Sequence, residues 1–199
     1  MDIDETNQNP KTWAAVGLFV FDFIKIFVIA VAIIVPIRWF LFQPFVVTGD
    51  SMRPNFQDGD YLIIDEISYR FREPDRGDVI VLKFPNDESQ FFIKRIIGLP
   101  SDRVVVENGK VEIYNTEHPQ GLVLEEQYLP SNNLTYGNLD MTLGQDEFFV
   151  LGDNRLSSSD SRIWGTLPRE DVVGRVFLRI FPLPRLQAFS PPAYDPAAP

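Results

Sequence analysis

Ser51 and Lys94 are the two side chains of this sequence whose settings could support covalent chemistry. Ser51 sits in Thr48-Gly49-Asp50-Ser51-Met52-Arg53-Pro54, and these turn-forming residues predict a tight, exposed turn. A hydroxyl on such a turn is a candidate nucleophile, weak until a base takes its proton. Lys94 lies in Phe91-Phe92-Ile93-Lys94-Arg95-Ile96-Ile97-Gly98-Leu99-Pro100. By strand alternation Phe92, Lys94 and Ile96 share one face, and Ile93, Arg95 and Ile97 share the other. An ammonium flanked by Phe92 and Ile96 loses hydration, which lowers its pKa and frees a neutral amine to accept a proton. Bringing a lysine from about 10.4 to about 7 costs on the order of 4–5 kcal/mol, which the fold must supply. The competing readings are a serine in an ordinary surface turn and a lysine that snorkels from an edge strand.

A third cluster, Gly152-Asp153-Asn154-Arg155-Leu156-Ser157-Ser158-Ser159-Asp160-Ser161-Arg162, is rich in residues that bond nearby backbone, and predicts a well-defined loop. Its three consecutive serines could orient a neutral amine without charging it, and Asp160 with Arg162 could fix the loop as an ion pair. A Ser-rich surface loop is the alternative. The chain has no Cys and one His, His118 in a polar loop, so thiolate chemistry is excluded and a tetrahedral zinc site is not expected. A net charge of −10 opposes nucleic-acid phosphates, and no basic stripe offsets it.

The elements that must position these residues can be read in order. Residues 1–15 are polar and acidic at first, and expected to be disordered over residues 1–11. Residues 16–42 form an apolar run bracketed by Trp13 and Trp39, about 39 Å apart as a helix, which suits a single uncleaved membrane anchor. The flanking charges, Lys11 before and Arg38 and Arg53 after, do not set its orientation. Residues 43–181 read as short strands at 61–64, 78–84, 91–97, 148–151 and 174–181, with one helical turn near 168–173. Residues 104–114 read as a hairpin across Asn108-Gly109. Residues 115–147 read as an irregular insertion, and the Pro-rich tail at 182–199 as unstructured. The fold class expected is mainly β, an antiparallel-sheet domain on one N-terminal transmembrane helix.

Four blocks carry a resemblance: Ser51-Met52-Arg53-Pro54 with Gly59-Asp60, Arg76-Gly77-Asp78-Val79-Ile80-Val81, Lys94 to Pro100, and Gly152-Asp153-Asn154-Arg155 with Ser158, Asp160, Ser161 and Arg162. In this order, after an apolar N-terminal run, they resemble the bacterial type I signal peptidases (leader peptidases), membrane-anchored proteases with a Ser-Lys dyad. The resemblance implies Ser51 as nucleophile, Lys94 as general base and Ser158 as the serine that orients the lysine. It implies structural support from Asp153, Asp160 and Arg162, and a substrate groove lined by Phe45, Val47, Met52, Phe92 and Ile93. No metal and no cofactor are implied. Substrates would be preproteins bearing signal peptides, cut after small-x-small sites. The lipid bilayer and the secretion translocon would be partners, with the catalytic domain on the extracytoplasmic side. Some members carry a serine two residues before the nucleophile as an oxyanion donor; Gly49 stands there, leaving the Ser51 N–H for that role. Other departures are Ser101, where glycine is usual, and Asn55-Phe56, where Thr-Leu is common. A self-cleaving Ser-Lys protease of the repressor type and a catalytically silent, membrane-tethered peptide-binding module are the alternatives.

Overall fold

The apolar run forms one helix, α1 (Pro10–Phe40). Its stretch Val16–Ile34 is long and apolar enough to cross a bilayer, and none of it is buried against protein. The structure, a computed structural model, describes residues 10–40, 42–131, 133–192 and 194. The polar segment expected at 1–15 lies outside the described residues up to residue 9, and from Pro10 onward it is helical. The helix and the β-rich remainder form two separate compact units.

The remainder is built almost wholly from antiparallel strands. The larger sheet runs in the order β1 (Phe42–Val46), β2 (Tyr61–Asp65), β11 (Val172–Phe181), β3 (Val79–Phe84), β4 (Asp87–Gly98), β9 (Glu147–Leu151) and β10 (Leu167–Pro168), with β12 (Gln187–Ala188) on β11. The smaller runs β7 (Leu122–Val123), β6 (Lys110–Tyr114), β5 (Arg103–Glu107), β8 (Leu139–Thr142). The β5–β6 turn has Asn108 and Gly109 at φ 52° and 79°, the left-handed pair that a type I′ hairpin requires.

Strand β3 and the second half of β4, from Ile93 to Gly98, are buried on both faces, so their apolar residues feed different cores. Val79, Val81 and Ile93 join Met52, Phe56 and Leu62 in one. Ile80, Leu82 and Ile96 join Phe148, Val150 and Leu167 in another. The alternation expected around Lys94 is what the strand adopts, with partly buried Phe92 packed on the same core as Ile96.

Two expectations are corrected. Residues 115–147 are not wholly irregular, because β8 pairs with β5 and buries Leu143, while Leu124 joins the same core. The tail has regular structure between Leu183 and Phe189. It forms a short 3-10 turn at Leu183–Arg185, pairs β12 with β11, and lays Phe189 on Phe56 at 4.7 Å between ring centroids.

One feature of the larger sheet matters most for function. β1 pairs only with β2, and β4 pairs with β9 only from Arg95 to Gly98. The outer edge of β1 and the edge of β4 before Arg95 are therefore open, and both line one cleft.

Candidate active site

The turn carrying Ser51 is closed at its base by Val47, which donates to the Asp60 carbonyl and accepts from the Gly59 N–H, both at 2.9 Å. Met52 and Phe56 turn inward, and the Phe56 N–H donates to the Met52 carbonyl at 3.0 Å. These two anchors leave Ser51 on the outer side, half-buried. Gly49 adopts φ +87°, a conformation that suits glycine and strains a side-chain-bearing residue. The Ser51 N–H donates to no protein acceptor among the described residues, which leaves it available to a ligand oxygen.

Lys94 Nζ lies 2.9 Å from Ser51 Oγ and donates to the Ile93 carbonyl at 2.9 Å. The side chain is buried, with Nζ 5.2 Å from the Phe92 ring centroid. Three other buried cations, Arg95, Arg155 and Arg179, each pair with a carboxylate. Among the described residues Lys94 is the buried cation with no ion pair. Burial lowers its pKa from 10.5 to about 8, against the opposing pull of Asp160 and Asp153. An amine so placed keeps a usable neutral fraction near physiological pH, and that fraction can receive the hydroxyl proton.

The 152–162 loop supports this pair. The Asn154 N–H donates to the Ser51 carbonyl at 3.0 Å, and Asn154 Nδ2 to the Asp50 carbonyl at 3.1 Å. Arg162 forks onto Asp160 with two bonds of 2.8 Å, and Asp160 also accepts from the Gly152 N–H. Arg95 forks onto Asp153 at 2.8 and 2.6 Å, and Asn55 Nδ2 donates to the same carboxylate at 2.8 Å. Losing one partner of such a buried pair typically costs about 3–5 kcal/mol, since it strands the other charge. Ser158 Oγ is buried without a hydrogen-bond partner, and no bond joins it to Lys94.

Gly152 is the tightest point. A methyl group there would stand 2.1 Å from Ser158 Oγ and 2.5 Å from the Ser51 carbonyl oxygen. Ser158 can rotate away, but the carbonyl belongs to the nucleophile's own backbone. Gly152→Ala is therefore expected to shift the turn and lower kcat/KM about a hundredfold, for a displacement near 1 Å. Comparing kcat/KM with the thermal midpoint checks this, because simple overpacking would show mainly in stability.

The cleft beside Ser51 and Lys94 has a volume of about 190 Å³. Phe45, Val47, Phe92 and Ile93 line it, together with Val46, Thr48 and Phe91. Met52 does not line it; its side chain lies in the core, where its sulfur accepts from the Asp153 N–H at 3.4 Å. A larger open hollow of about 620 Å³ near Asp146 and Arg169 contains neither Ser51 nor Lys94.

Residues 20–181 match the family model described as signal peptidase, peptidase S26. The chain belongs to that family. Its similarity to the "Probable signal peptidase I-2" of Synechocystis sp. is 39% identity, over 88% of this chain and 77% of that one. Signal peptidase I of Leptolyngbya laminosa is 38% identical over 85% and 83%. Signal peptidase I P of Bacillus subtilis subsp. natto is 32% identical over 84% and 92%. As a signal peptidase, the chain is a serine endopeptidase.

Several residues of this signal peptidase's site escaped the sequence reading. Asn55 donates to both Asp153 and the Tyr128 carbonyl, tying the nucleophile turn to the insertion. Tyr128 covers Arg95 with its ring at 3.9 Å, and Arg155 reaches from the loop to Glu126 and Thr135. Arg179 bonds the Asn55 carbonyl at 2.7 Å and Asp60 at 3.2 Å. A signal existed for Arg95 alone, whose place between Ile93 and Ile97 marks it as inward-facing.

Proposed function

We propose that the chain cleaves signal peptides from exported preproteins with Ser51 as nucleophile and Lys94 as general base. The observation that carries this reading is a buried, unpaired lysine 2.9 Å from a turn hydroxyl at the cleft between two open strand edges. The substrate lies extended between β1 and β4 and completes their hydrogen bonding. Ser51 Oγ gives its proton to Lys94 Nζ and attacks the scissile carbonyl, while the Ser51 N–H donates to the developing oxyanion. The lysine ammonium then protonates the leaving amine, and the neutral amine later activates the water that releases the acyl-enzyme. Ser158, whose buried hydroxyl has no hydrogen-bond partner among the described residues, is assigned to turn towards the amine and orient it. Asp153, Asp160 and Arg162 hold the loop.

α1 is assigned as the membrane anchor, with the catalytic unit on the extracytoplasmic side and preproteins delivered at the bilayer by the translocon. Protease protection in sealed vesicles tests that orientation; a β-domain found on the cytoplasmic side contradicts it. The function itself is tested by incubating purified protein in detergent with one preprotein and sequencing the new N-terminus. A single cut after a small-x-small site is expected, whereas a silent peptide-binding module yields no product.

The cleft also sets specificity. Phe45, Val47, Phe92 and Ile93 line the cleft, and beside a backbone-paired substrate they are assigned to accept side chains no larger than a methyl group. Replacing Ala at −1 or −3 by Leu is expected to lower kcat/KM roughly ten- to two-hundredfold, the scale of overpacking a tight site. A series of peptides varied at those positions measures it.

A further inference from the structure

The 152–162 loop also carries a second concavity, of about 300 Å³, lined by Tyr136, Arg155, Leu156, Ser158, Arg162 and Ile163, and it shares no lining residue with the cleft. Its link to the nucleophile runs through Gly152, where an added methyl group would meet both the Ser158 side chain and the Ser51 carbonyl. The Asn154 N–H bond to the same carbonyl holds loop and turn together. Leu156 and Ile163 are 72% and 73% exposed, and Tyr136 is 57% exposed. Three large apolar side chains around one hollow that also includes Ser158 are a surface prepared for contact.

The charges on this wall are already satisfied. Arg155 is paired with Glu126, and Arg162 is forked onto Asp160 and donates to the Tyr136 carbonyl. The hollow therefore offers apolar walls and no spare cation, and it suits an apolar side chain rather than an acidic one. An extended peptide held at Ser51 has two halves. On the proposed reading the half before the scissile bond lies in the β1–β4 cleft, which leaves the hollow on the loop stitched to Ser51 as a place for the half after it.

We infer that the Leu156–Ile163 concavity is a subsite for the substrate segment just after the cleaved bond, and that it selects a large apolar side chain there. This rests on the Ser51–Lys94 reading. The leaving-side chain is thus recognised by contacts separate from those that impose small residues before the bond.

The test uses the full-length protein in detergent and two peptide series with the same Ala-x-Ala site before the bond. One series carries Leu or Phe within the first three residues after it, the other Ser or Asp. The wild-type protein is expected to favour the apolar series by about tenfold in kcat/KM, the scale of partial side-chain burial. In a Leu156→Ser/Ile163→Ser double variant that ratio is expected to fall towards one. Phe71→Ser, which removes an 85% exposed apolar residue elsewhere, is expected to keep it. Equal cleavage of both series by the wild-type protein overturns the subsite and leaves the Ser51–Lys94 reading intact. A ratio that the double variant leaves unchanged overturns it as well. No cleavage of any peptide overturns the Ser51–Lys94 reading and the subsite with it.

Discussion

Lys94→Arg is expected to lose about two to four orders of magnitude in kcat/KM, the contribution of a positioned general base. Arginine keeps the charge and a similar reach, so a lysine acting only as a fixed cation would tolerate it. A guanidinium has a pKa above about 12 and cannot release its proton in a protein. Lys94→Met should lose activity to a similar degree for the same reason. The wild-type pH profile supplies the second half of the test. Burial lowers the Lys94 pKa to about 8, so the competent neutral amine grows in as pH rises through that value. kcat/KM is expected to climb with its midpoint near pH 8 and to level above it, with the midpoint well below that of an unperturbed lysine. Stability follows with a defined sign. Between about 8 and 10.5 the unfolded chain holds a proton on Lys94 that the folded chain does not, so folding gains stability as pH rises across that window. Below about 8 the folded state carries the cost of a buried charge. Lys94→Met should therefore resist denaturant better than wild type at pH 6, with the advantage shrinking above pH 8. Near-wild-type turnover by Lys94→Arg would refute the dyad.

Ser51→Ala is expected to abolish turnover, with a loss on the order of 10⁶ in kcat, the scale seen when a serine protease loses its nucleophile. The fold should not notice. Ser51 is half-buried and its hydroxyl meets only Lys94, which keeps the Ile93 carbonyl as a partner. A change within about 0.5 kcal/mol in unfolding free energy is expected, as for most surface substitutions. Peptide affinity should also survive, since the cleft is lined by Phe45, Val47, Phe92 and Ile93 and by backbone edges. Thermal unfolding, equilibrium peptide binding and turnover on the same sample separate the three quantities. A folded, peptide-binding variant that still cleaves would sink the nucleophile assignment.

The sequence by itself determined the elements that depend on a short window. Alternation placed Lys94 with Phe92 and Ile96, Asn108-Gly109 specified the hairpin turn, and the turn-formers around Ser51 presented its hydroxyl. An apolar run from Val16 needed no partner to be read as a helix able to span a bilayer. The resemblance of the four blocks then carried the family. Signals in the insertion were present but diluted: Leu139, Met141 and Leu143 alternate as a strand should, and the polar surroundings hid them. What only the tertiary structure decided are meetings between distant residues. Ser51 and Lys94 are separated by 43 positions, Arg95 and Asp153 by 58, and Arg179 and Asn55 by 124. The tail read as unstructured holds Phe189 on Phe56 behind the nucleophile turn. Backbone sterics and side-chain periodicity act over a few residues, so they leave a trace in local composition. The distance between two side chains far apart in the chain is set instead by sheet register and by the packing of every strand between them. For the same reason the depressed Lys94 pKa could be anticipated in direction from its neighbours, while its partner at 2.9 Å belongs to the fold.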